Sequence, residues 1–367
     1  MSTTTSSHPA PTSTPAGMTA GSLSGSRRTG AIVVTGAGGE MGHGLLSRLA
    51  PIAQRTGRHI VAIDVRELDE SSRRHVHHTF VGDICDRGLL DRLQAQFEIS
   101  EIFHLAALLS TRGEFVPETA HAVNVVGTVN LLRLAAEEAR AHGRRVKFVF
   151  PSSIAVYGLP DLATKRAAGR IAEHQYLEPH TMYGVNKLEG EHLGRYYARH
   201  YRLLAKDRLD RPIDFRSIRF PGIISSETVP SGGTSDYGPE MIHAAASGKA
   251  YACFVRPDSR IPFMTMPEAI DAILRLAEAP EERLTRQVYN VAAFSPSAED
   301  FAALVRKAFP ASQVSFVPDL ARQAIVDSWP EDLIDDAARA DWGWAPTHTM
   351  ASAFEQYLVP AISKRYA

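Results

Sequence analysis

The fold of this 367-residue chain is decided by the stretch Ala31-Ile32-Val33-Val34-Thr35-Gly36-Ala37-Gly38-Gly39-Glu40-Met41-Gly42. Its first five residues form a short, apolar and largely β-branched run, which is typical of a buried strand. A glycine-rich segment follows at once, and Leu45, Leu46 and Leu49 then recur at helical spacing. The stretch therefore predicts a strand, a tight turn and a helix.

Three glycines of this turn, Gly36, Gly39 and Gly42, suit a dinucleotide. Glycines allow a tight turn, a close approach of the backbone to a pyrophosphate, and close packing of the helix on the strand. The N-terminus of the helix then faces the phosphates. The spacing is G-x-x-G-x-x-G rather than G-x-G-x-x-G, so a tight turn without a ligand is the alternative interpretation.

A second predicted strand, residues His59 to Asp64, ends in an acid. Asp64 follows Gly42 by about 20 residues, where an acidic side chain can bind the adenosine ribose hydroxyls. A carboxylate there repels a 2′-phosphate and favours NAD over NADP, whereas the neighbouring Arg66 could accept that phosphate. An aspartate that only closes a turn is the alternative.

Strands and helices continue to alternate, which predicts an α/β fold with a Rossmann-type doubly wound parallel sheet. A long apolar helical face runs from Glu118 to His142. The loop with Asp83 and Ile84 after the third strand can lie over the adenine, and the small Ala106 and Ala107 suit a close approach to the cofactor. Later strands are predicted at residues 79–81, 101–107, 146–150 and 214–218.

Composition divides the chain into three parts. Residues 1–29 are rich in Ser, Thr, Pro, Gly and Ala, contain no acidic residue, and predict a disordered tail. An organelle transit peptide is the alternative, because Arg27 and Arg28 accompany this acid-free composition. Residues 30–224 contain the repeated strand–helix units of the NAD-binding Rossmann domain. Residues 225–367 begin with a loop-rich segment and predict mainly a small C-terminal substrate-binding lobe, with some return to the sheet.

Overall composition excludes several classes of protein. Hydrophobic residues make up 44% and charged residues 22%, and the net charge of -1 gives no reason to expect nucleic acid or an anionic membrane as a partner. The two isolated cysteines, Cys85 and Cys253, form no zinc motif or disulfide framework, so we expect no metal and a cytoplasmic, reducing compartment. The imidazoles of His75, His77 and His78 lack an acid at ligand spacing.

The motif Met182-Tyr183-Gly184-Val185-Asn186-Lys187 carries candidate chemistry. On a helix, Tyr183 and Lys187 lie one turn apart on one face. An ammonium beside a phenol favours the phenolate, so we expect the pKa of Tyr183 to fall, which would let it act as a general base. Ser153 follows the fifth predicted strand, whose carboxyl end lines the ligand crevice, and can bind a substrate oxygen. A half-exposed Tyr beside a solvated Lys is the alternative.

These motifs together resemble the extended short-chain dehydrogenase/reductase family, and more specifically its short-chain L-threonine 3-dehydrogenase branch. The resemblance covers about residues 31–360. Beyond the glycine-rich turn and the Tyr-x-x-x-Lys motif, it is carried by Ser-Ser-x-x-Val-Tyr-Gly at 152–158 and by longer stretches at 104–110, 217–225, 232–237, 322–330 and 338–344.

The resemblance implies NAD-dependent oxidation of a secondary alcohol, L-threonine to 2-amino-3-oxobutyrate. Tyr183 would be the base, Lys187 would lower its pKa, and Ser153 would orient the substrate hydroxyl, with Ser152 as the alternative. Ser110 and Thr234 would also contact the small-molecule substrate. A homodimer would form through helices at about 118–142 and 180–200, although these helices could equally cover the sheet within one monomer. The implied NAD contacts are Gly36, Gly39, Glu40, Met41, Gly42, Asp64, Asp83, Ile84, Leu105, Ala106, Ala107, Tyr183, Lys187 and Ile223.

The sequence departs from the threonine dehydrogenase pattern near the expected substrate loops. Thr111-Arg112 replaces a small Ala-Thr, and Gly238-Pro239 stands where Ala-Val is usual. Arg112 could bind a carboxylate or point to solvent. Two other functions therefore stay open: an NAD-dependent sugar-nucleotide epimerase or dehydratase, and a non-catalytic NAD-sensing module.

Overall fold

The computed structural model describes residues 28–230 and 232–367. The predicted tail thus lies outside the described residues except for its end, where Arg28 pairs with Glu138 at 2.7 Å and Thr29 opens the first strand. The strands are β1 Thr29–Thr35, β2 His59–Asp64, β3 His78–Val81, β4 Phe97–His104, β5 Val146–Ser153, β6 Arg170–Ile171, β7 Ile213–Phe220, β8 Gly222–Ile224, β9 Tyr251–Cys253, β10 Phe263–Thr265, β11 Val288–Asn290, β12 Val314–Phe316 and β13 Asp332–Leu333.

Helices connect most of these strands, including those of the main parallel sheet, where crossover connections are required. They are α1 Glu40–Thr56, α2 Glu70–Arg73, α3 Arg87–Gln96, α4 Ser110–Phe115, α5 Pro117–His121, α6 Gly127–His142, α7 Leu162–Ala168, α8 Met182–Arg199, α9 Tyr237–Ala246, α10 Met266–Glu278, α11 Ala298–Ala308, α12 Leu320–Ser328, α13 Asp336–Trp342, α14 Met350–Ala353 and α15 Val359–Tyr366. Among the described residues, none of these helices is both long and apolar enough to cross a membrane.

The main sheet has seven parallel strands in the order β11-β7-β5-β4-β1-β2-β3. The chain runs outward from β1 to β3 and then crosses back to β4, so the strand order reverses between β1 and β4. In open α/β sheets, ligands bind at this switch point, beyond the carboxyl ends of the strands. The α/β, Rossmann-type fold is confirmed.

Alternation within β1 explains why the strand is apolar throughout. Ile32 and Val34 face a core formed with helices α1 and α10, whereas Ala31 and Val33 face a second core formed with α3, α6 and α8. Each strand side chain points to the face opposite its neighbours, so a sheet covered by helices on both faces needs apolar residues at every position.

A third core fills the C-terminal lobe, with β8–β10, β9–β12 and β6–β13 as short parallel pairs. The lobe is not one continuous segment of the chain. Helix α10 packs in the same core as α1, and β11 pairs with β7 in the main sheet.

Two of the differences between predicted and observed elements lie next to the carboxyl ends of the central strands. Strand β4 runs from Phe97 to His104 rather than from residue 101 to 107. Beyond its end, the N–H and C=O groups of Leu108 bond to the side chain of Asn124. The helix predicted from Glu118 to His142 is interrupted by a π-helical turn at Ala122–Val126, which carries Asn124. Turns of this kind recur at functional sites.

Candidate active site

A cavity of about 730 Å³ lies at the carboxyl ends of the central strands. Its size suits a dinucleotide with a small second ligand. Every residue predicted for the site lines this cavity, from the glycine-rich turn to Tyr183, Lys187 and Thr234. Among the described residues, no group of three or more His, Cys, Asp or Glu side chains could hold a metal ion.

The glycine-rich turn has the geometry that a pyrophosphate requires. Gly36 has φ +66°, and a Cβ there would lie 2.6 Å from the Ala106 nitrogen of the neighbouring loop. Helix α1 then begins at Glu40, and its N-cap residue Gly39 offers no side chain to the first N–H groups. Those groups are free to bind an anion, and the helix dipole favours one, so the residues present fit a dinucleotide.

Asp64 is fixed beside this turn at the end of β2. Its carboxylate accepts hydrogen bonds from the N–H groups of Gly38 at 2.9 Å and Arg66 at 3.1 Å. The side chain therefore lines the cavity in a set orientation, with Asp83 and Ile84 in the same lining.

The loop after β4 forms another wall and is held by a residue that sequence reasoning missed. The Asn124 amide clamps Leu108, since its Oδ1 accepts from Leu108 N at 2.8 Å and its Nδ2 donates to Leu108 O at 2.9 Å. Asn124 is buried in the π-helical turn. The sequence carried no specific signal for this role, because Thr128, Asn130 and Glu138 are also polar and buried along the same helical segment.

The two serines that end β5 have different partners. Ser152 donates its hydroxyl to Glu191 Oε1 at 2.6 Å and is buried. Ser153 accepts from Ala155 N at 3.1 Å, and its side chain also hydrogen-bonds Tyr183. Of the two, Ser153 is therefore the serine placed beside the tyrosine.

Helix α8 brings Tyr183 and Lys187 to the cavity. Its N-cap, Thr181, accepts from Gly184 N at 3.1 Å. Lys187 Nζ donates to Pro151 O at 2.7 Å and lies 5.5 Å from the centre of the Tyr183 ring. The pair thus sits on one helical face at the end of β5, but the ammonium bonds a backbone carbonyl rather than the phenol.

The expected fall in the pKa of Tyr183 is wrong for this structure. Burial raises the pKa of Tyr183 to about 12, and the hydrogen bond with Ser153 only partly opposes this. Burial lowers the pKa of Lys187 to about 7, against the attraction of Glu191. Desolvation penalises the charged form of each group, and here it exceeds the effect of their neighbours.

A buried ion pair between Glu191 and Arg219 lies next to Lys187, on the side of α8 that faces the protein core. Glu191, one turn after Lys187, accepts from Arg219 Nε at 2.8 Å and Nη2 at 2.6 Å. Arg219 also donates to Tyr157 Oη at 2.9 Å, and its side chain is fully buried, as is that of Glu191. Sequence reasoning missed Glu191, although an acid four residues after Lys187 was visible.

Helix α4 joins the C-terminal lobe to helix α8. Ser110 Oγ lies 3.3 Å from Thr234 Oγ1, and Thr111 Oγ1 donates to Gly232 O at 3.0 Å. On its other side, Glu114 Oε1 accepts from Met182 N at 2.7 Å, at the start of α8. Ser110 and Thr234 are thus together at one end of the cavity.

Comparison with known proteins agrees with this architecture. Residues 32–292 match the NAD dependent epimerase/dehydratase family. The chain is 37% identical to the mitochondrial L-threonine 3-dehydrogenase of Bos taurus over 327 residues, covering 85% of this chain and 78% of that protein.

Solved structures of L-threonine dehydrogenases are also similar to this chain in sequence and fold. The holo form of the GalE-like L-threonine dehydrogenase of Cupriavidus necator is 34% identical, with a TM-score of 0.77 over 92% of this chain and 99% of that one. A monomeric L-threonine 3-dehydrogenase from a metagenome is also 34% identical, with a TM-score of 0.79 over 92% of this chain and 100% of that one.

Proposed function

The chain belongs to the NAD dependent epimerase/dehydratase family, and from that premise we propose that it oxidises L-threonine to 2-amino-3-oxobutyrate. Its relatives identify it as an NAD-dependent oxidoreductase. The observation that carries the choice of reaction is the meeting of Ser153, Tyr183 and Lys187 in the cavity that the glycine-rich turn lines.

In the proposed reaction, Tyr183 is the general base. Its phenolate oxygen takes the proton from the substrate hydroxyl, while the hydrogen on the same carbon leaves with its electron pair and a C=O bond forms. Ser153 hydrogen-bonds the reacting oxygen and holds it against the phenol. When bound, NAD supplies the cationic ring that accepts the hydride.

Lys187 has two proposed tasks. Its ammonium binds the nicotinamide ribose, and its charge favours the tyrosinate. Because burial raises the pKa of Tyr183 to about 12 in this structure, the base needs that positive charge to lose its proton near neutral pH.

The remaining cofactor contacts follow from the cavity lining. The N–H groups at the start of α1 would hold the pyrophosphate, and Asp64 would accept from the adenosine ribose hydroxyls. Residues 30–224 would mainly bind NAD, and 225–367 would mainly bind substrate. Cys85 and Cys253 are both free thiols, which supports a cytoplasmic location.

We also propose a homodimer. Val126 lies in the π-helical turn, and Val185 and Tyr196 lie on α8; their side chains are 47%, 42% and 45% exposed. Exposed apolar side chains on adjacent helices suit a helix-to-helix interface between two copies.

The reaction is tested by NADH formation with NAD and a panel of L-threonine, L-allo-threonine, L-serine and 3-hydroxy acids. We expect strong turnover of L-threonine, and a loss of roughly 10²- to 10⁴-fold in Tyr183→Phe with NAD binding intact. Turnover of a UDP-sugar without net NAD reduction would favour the epimerase instead. Unchanged turnover in Tyr183→Phe would contradict the assigned base.

A further inference from the structure

Positive charge is scarce in the lining of the cavity. Within residues 28–230 and 232–367, the basic side chains that line it are Arg66, Arg112 and Lys187. Lys187 already donates to Pro151 O and lies beside the catalytic phenol. Arg66 follows Asp64 at the end of β2, where the adenosine ribose is expected.

Of these three basic residues, Arg112 is the one that lies near Ser110 and Thr234, the predicted substrate contacts. It lies on α4, two residues after Ser110, whose hydroxyl meets that of Thr234. The Arg112 side chain is exposed to the cavity and makes no ion pair or hydrogen bond with any residue that the structure describes. Its guanidinium is therefore available to a ligand.

The backbone that carries Arg112 is held on both sides. Thr111 bonds the Gly232 carbonyl in the lobe, and Glu114 accepts from Met182 N at the start of α8. The next residue, Gly113, is in contact range of Tyr183, since a Cβ on Gly113 would lie 4.0 Å from the Tyr183 Cβ. Arg112 thus lines the cavity from an anchored helix, and the residue after it packs beside the proposed base.

The surrounding charges explain why an anionic substrate needs this cation. Glu40 and Asp236 line the same cavity, and the charge of Asp236 adds to burial in raising the pKa of Glu40. A carboxylate entering here meets negative potential unless a cation faces it. The ammonium group of an amino acid, in contrast, suits these acids.

We propose that Arg112 binds the carboxylate of the substrate and selects amino acids with a free carboxylate over their amides. The planar guanidinium can donate two parallel hydrogen bonds to a carboxylate, which fixes both position and orientation. This inference rests on the proposed function and adds a recognition residue to it.

The kinetic test compares L-threonine with L-threoninamide in wild type, Arg112→Gln and Arg112→Lys. Arg112→Gln should raise KM for L-threonine roughly 10- to 100-fold with kcat nearly unchanged, because a charged hydrogen-bonding partner is lost in every bound state. The preference for threonine over its amide should collapse, and Lys should restore part of it. Arg283→Gln, at an exposed arginine outside the cavity lining, should match wild type.

A binding test separates this inference from the proposed reaction. Calorimetry of L-2-aminobutyrate, which lacks the reacting hydroxyl, with the NAD complex should show affinity that Arg112→Gln lowers at least tenfold. If wild type fails to oxidise threonine but this loss occurs, the reaction is wrong and the inference stands. Equal binding to both proteins, no binding to wild type, or weakened NAD binding in Arg112→Gln without substrate would overturn it.

Discussion

Ser152 and Ser153 are neighbours in sequence, but Ser152 bonds to Glu191 and Ser153 to Tyr183, so we expect their substitution to have different effects. Ser153→Ala should lower kcat/KM on the order of 10- to 10³-fold, because it removes the donor to the reacting oxygen. Ser152→Ala should keep kcat/KM within about threefold and lower the free energy of unfolding by about 1–2 kcal/mol, because Glu191 loses a buried hydrogen bond. Steady-state kinetics and urea unfolding of both variants check this division, which a larger kinetic loss in Ser152→Ala would reverse.

The buried amine of Lys187, a proposed catalytic group, also makes the stability of the folded chain depend on pH. Burial lowers the pKa of Lys187 to about 7 in the folded chain, whereas an unfolded lysine keeps its ordinary value of 10.5. Between these two values the unfolded chain holds a proton that the folded chain has released, so the contribution of Lys187 to stability rises with pH.

Lys187→Met should lose this dependence. As the pH increases from about 7 towards 10, we expect the free energy of unfolding of cofactor-free wild type to rise relative to the variant by a few kcal/mol. Denaturant unfolding at several pH values measures the difference, and titratable groups common to both proteins cancel. A constant difference across this range would show that the folded amine keeps an ordinary pKa.

At the scale of a single residue, the sequence best predicted those positions that depend only on the neighbouring residues in the chain. The glycine-rich turn, Asp64 and the Tyr183–Lys187 pair line the cavity as predicted, because their placement depends on local spacing at strand and helix ends. The pKa of Tyr183 was not, because desolvation depends on everything packed around the ring. Asn124 and Glu191 were missed because Leu108 and Arg219, the residues they hold, are distant in sequence.

At the scale of elements, the site depends on how closely α8 approaches the turn after β5. A Cβ on Gly184 would collide with the Ala155 carbonyl oxygen, because the first turn of the helix lies directly on this backbone. Gly184→Ala should displace the helix and lower kcat/KM at least tenfold. Gly88→Ala on α3, where the nearest atom is a side-chain oxygen at 3.3 Å, should retain wild-type kinetics. Equal kinetics in both variants would mean that this contact does not position Tyr183.

Element order was predictable from the alternation of strand and helix patterns, whereas some boundaries were not. Residues Leu105 to Ala107 continue the apolar composition of β4, so sequence gave no reason to end the strand at His104. The chain leaves the sheet after Leu105, and Asn124, which is distant in sequence, satisfies the Leu108 backbone. Asn124 lies in a π-helical turn, which the apolar pattern of residues 118–142 did not predict.

At the scale of the whole molecule, the proposed dimer is open to a direct test. Sedimentation of wild type should give twice the monomer mass. The double variant Val126→Glu, Tyr196→Glu should be monomeric, because charges would be buried in the interface. Val317→Glu, at a 63% exposed apolar position of the lobe, is the matched control and should stay dimeric. A monomeric wild type, as in the metagenome relative, would contradict the proposal.

The most direct test of the account is isotope transfer from L-threonine deuterated at C3, with NAD in excess. We expect mass spectrometry to find the deuterium in the reduced cofactor, and we expect Tyr183→Phe to form almost no deuterated cofactor while binding NAD normally. Deuterium that stays in threonine, with NAD bound but unreduced by wild type, would contradict oxidation at this carbon.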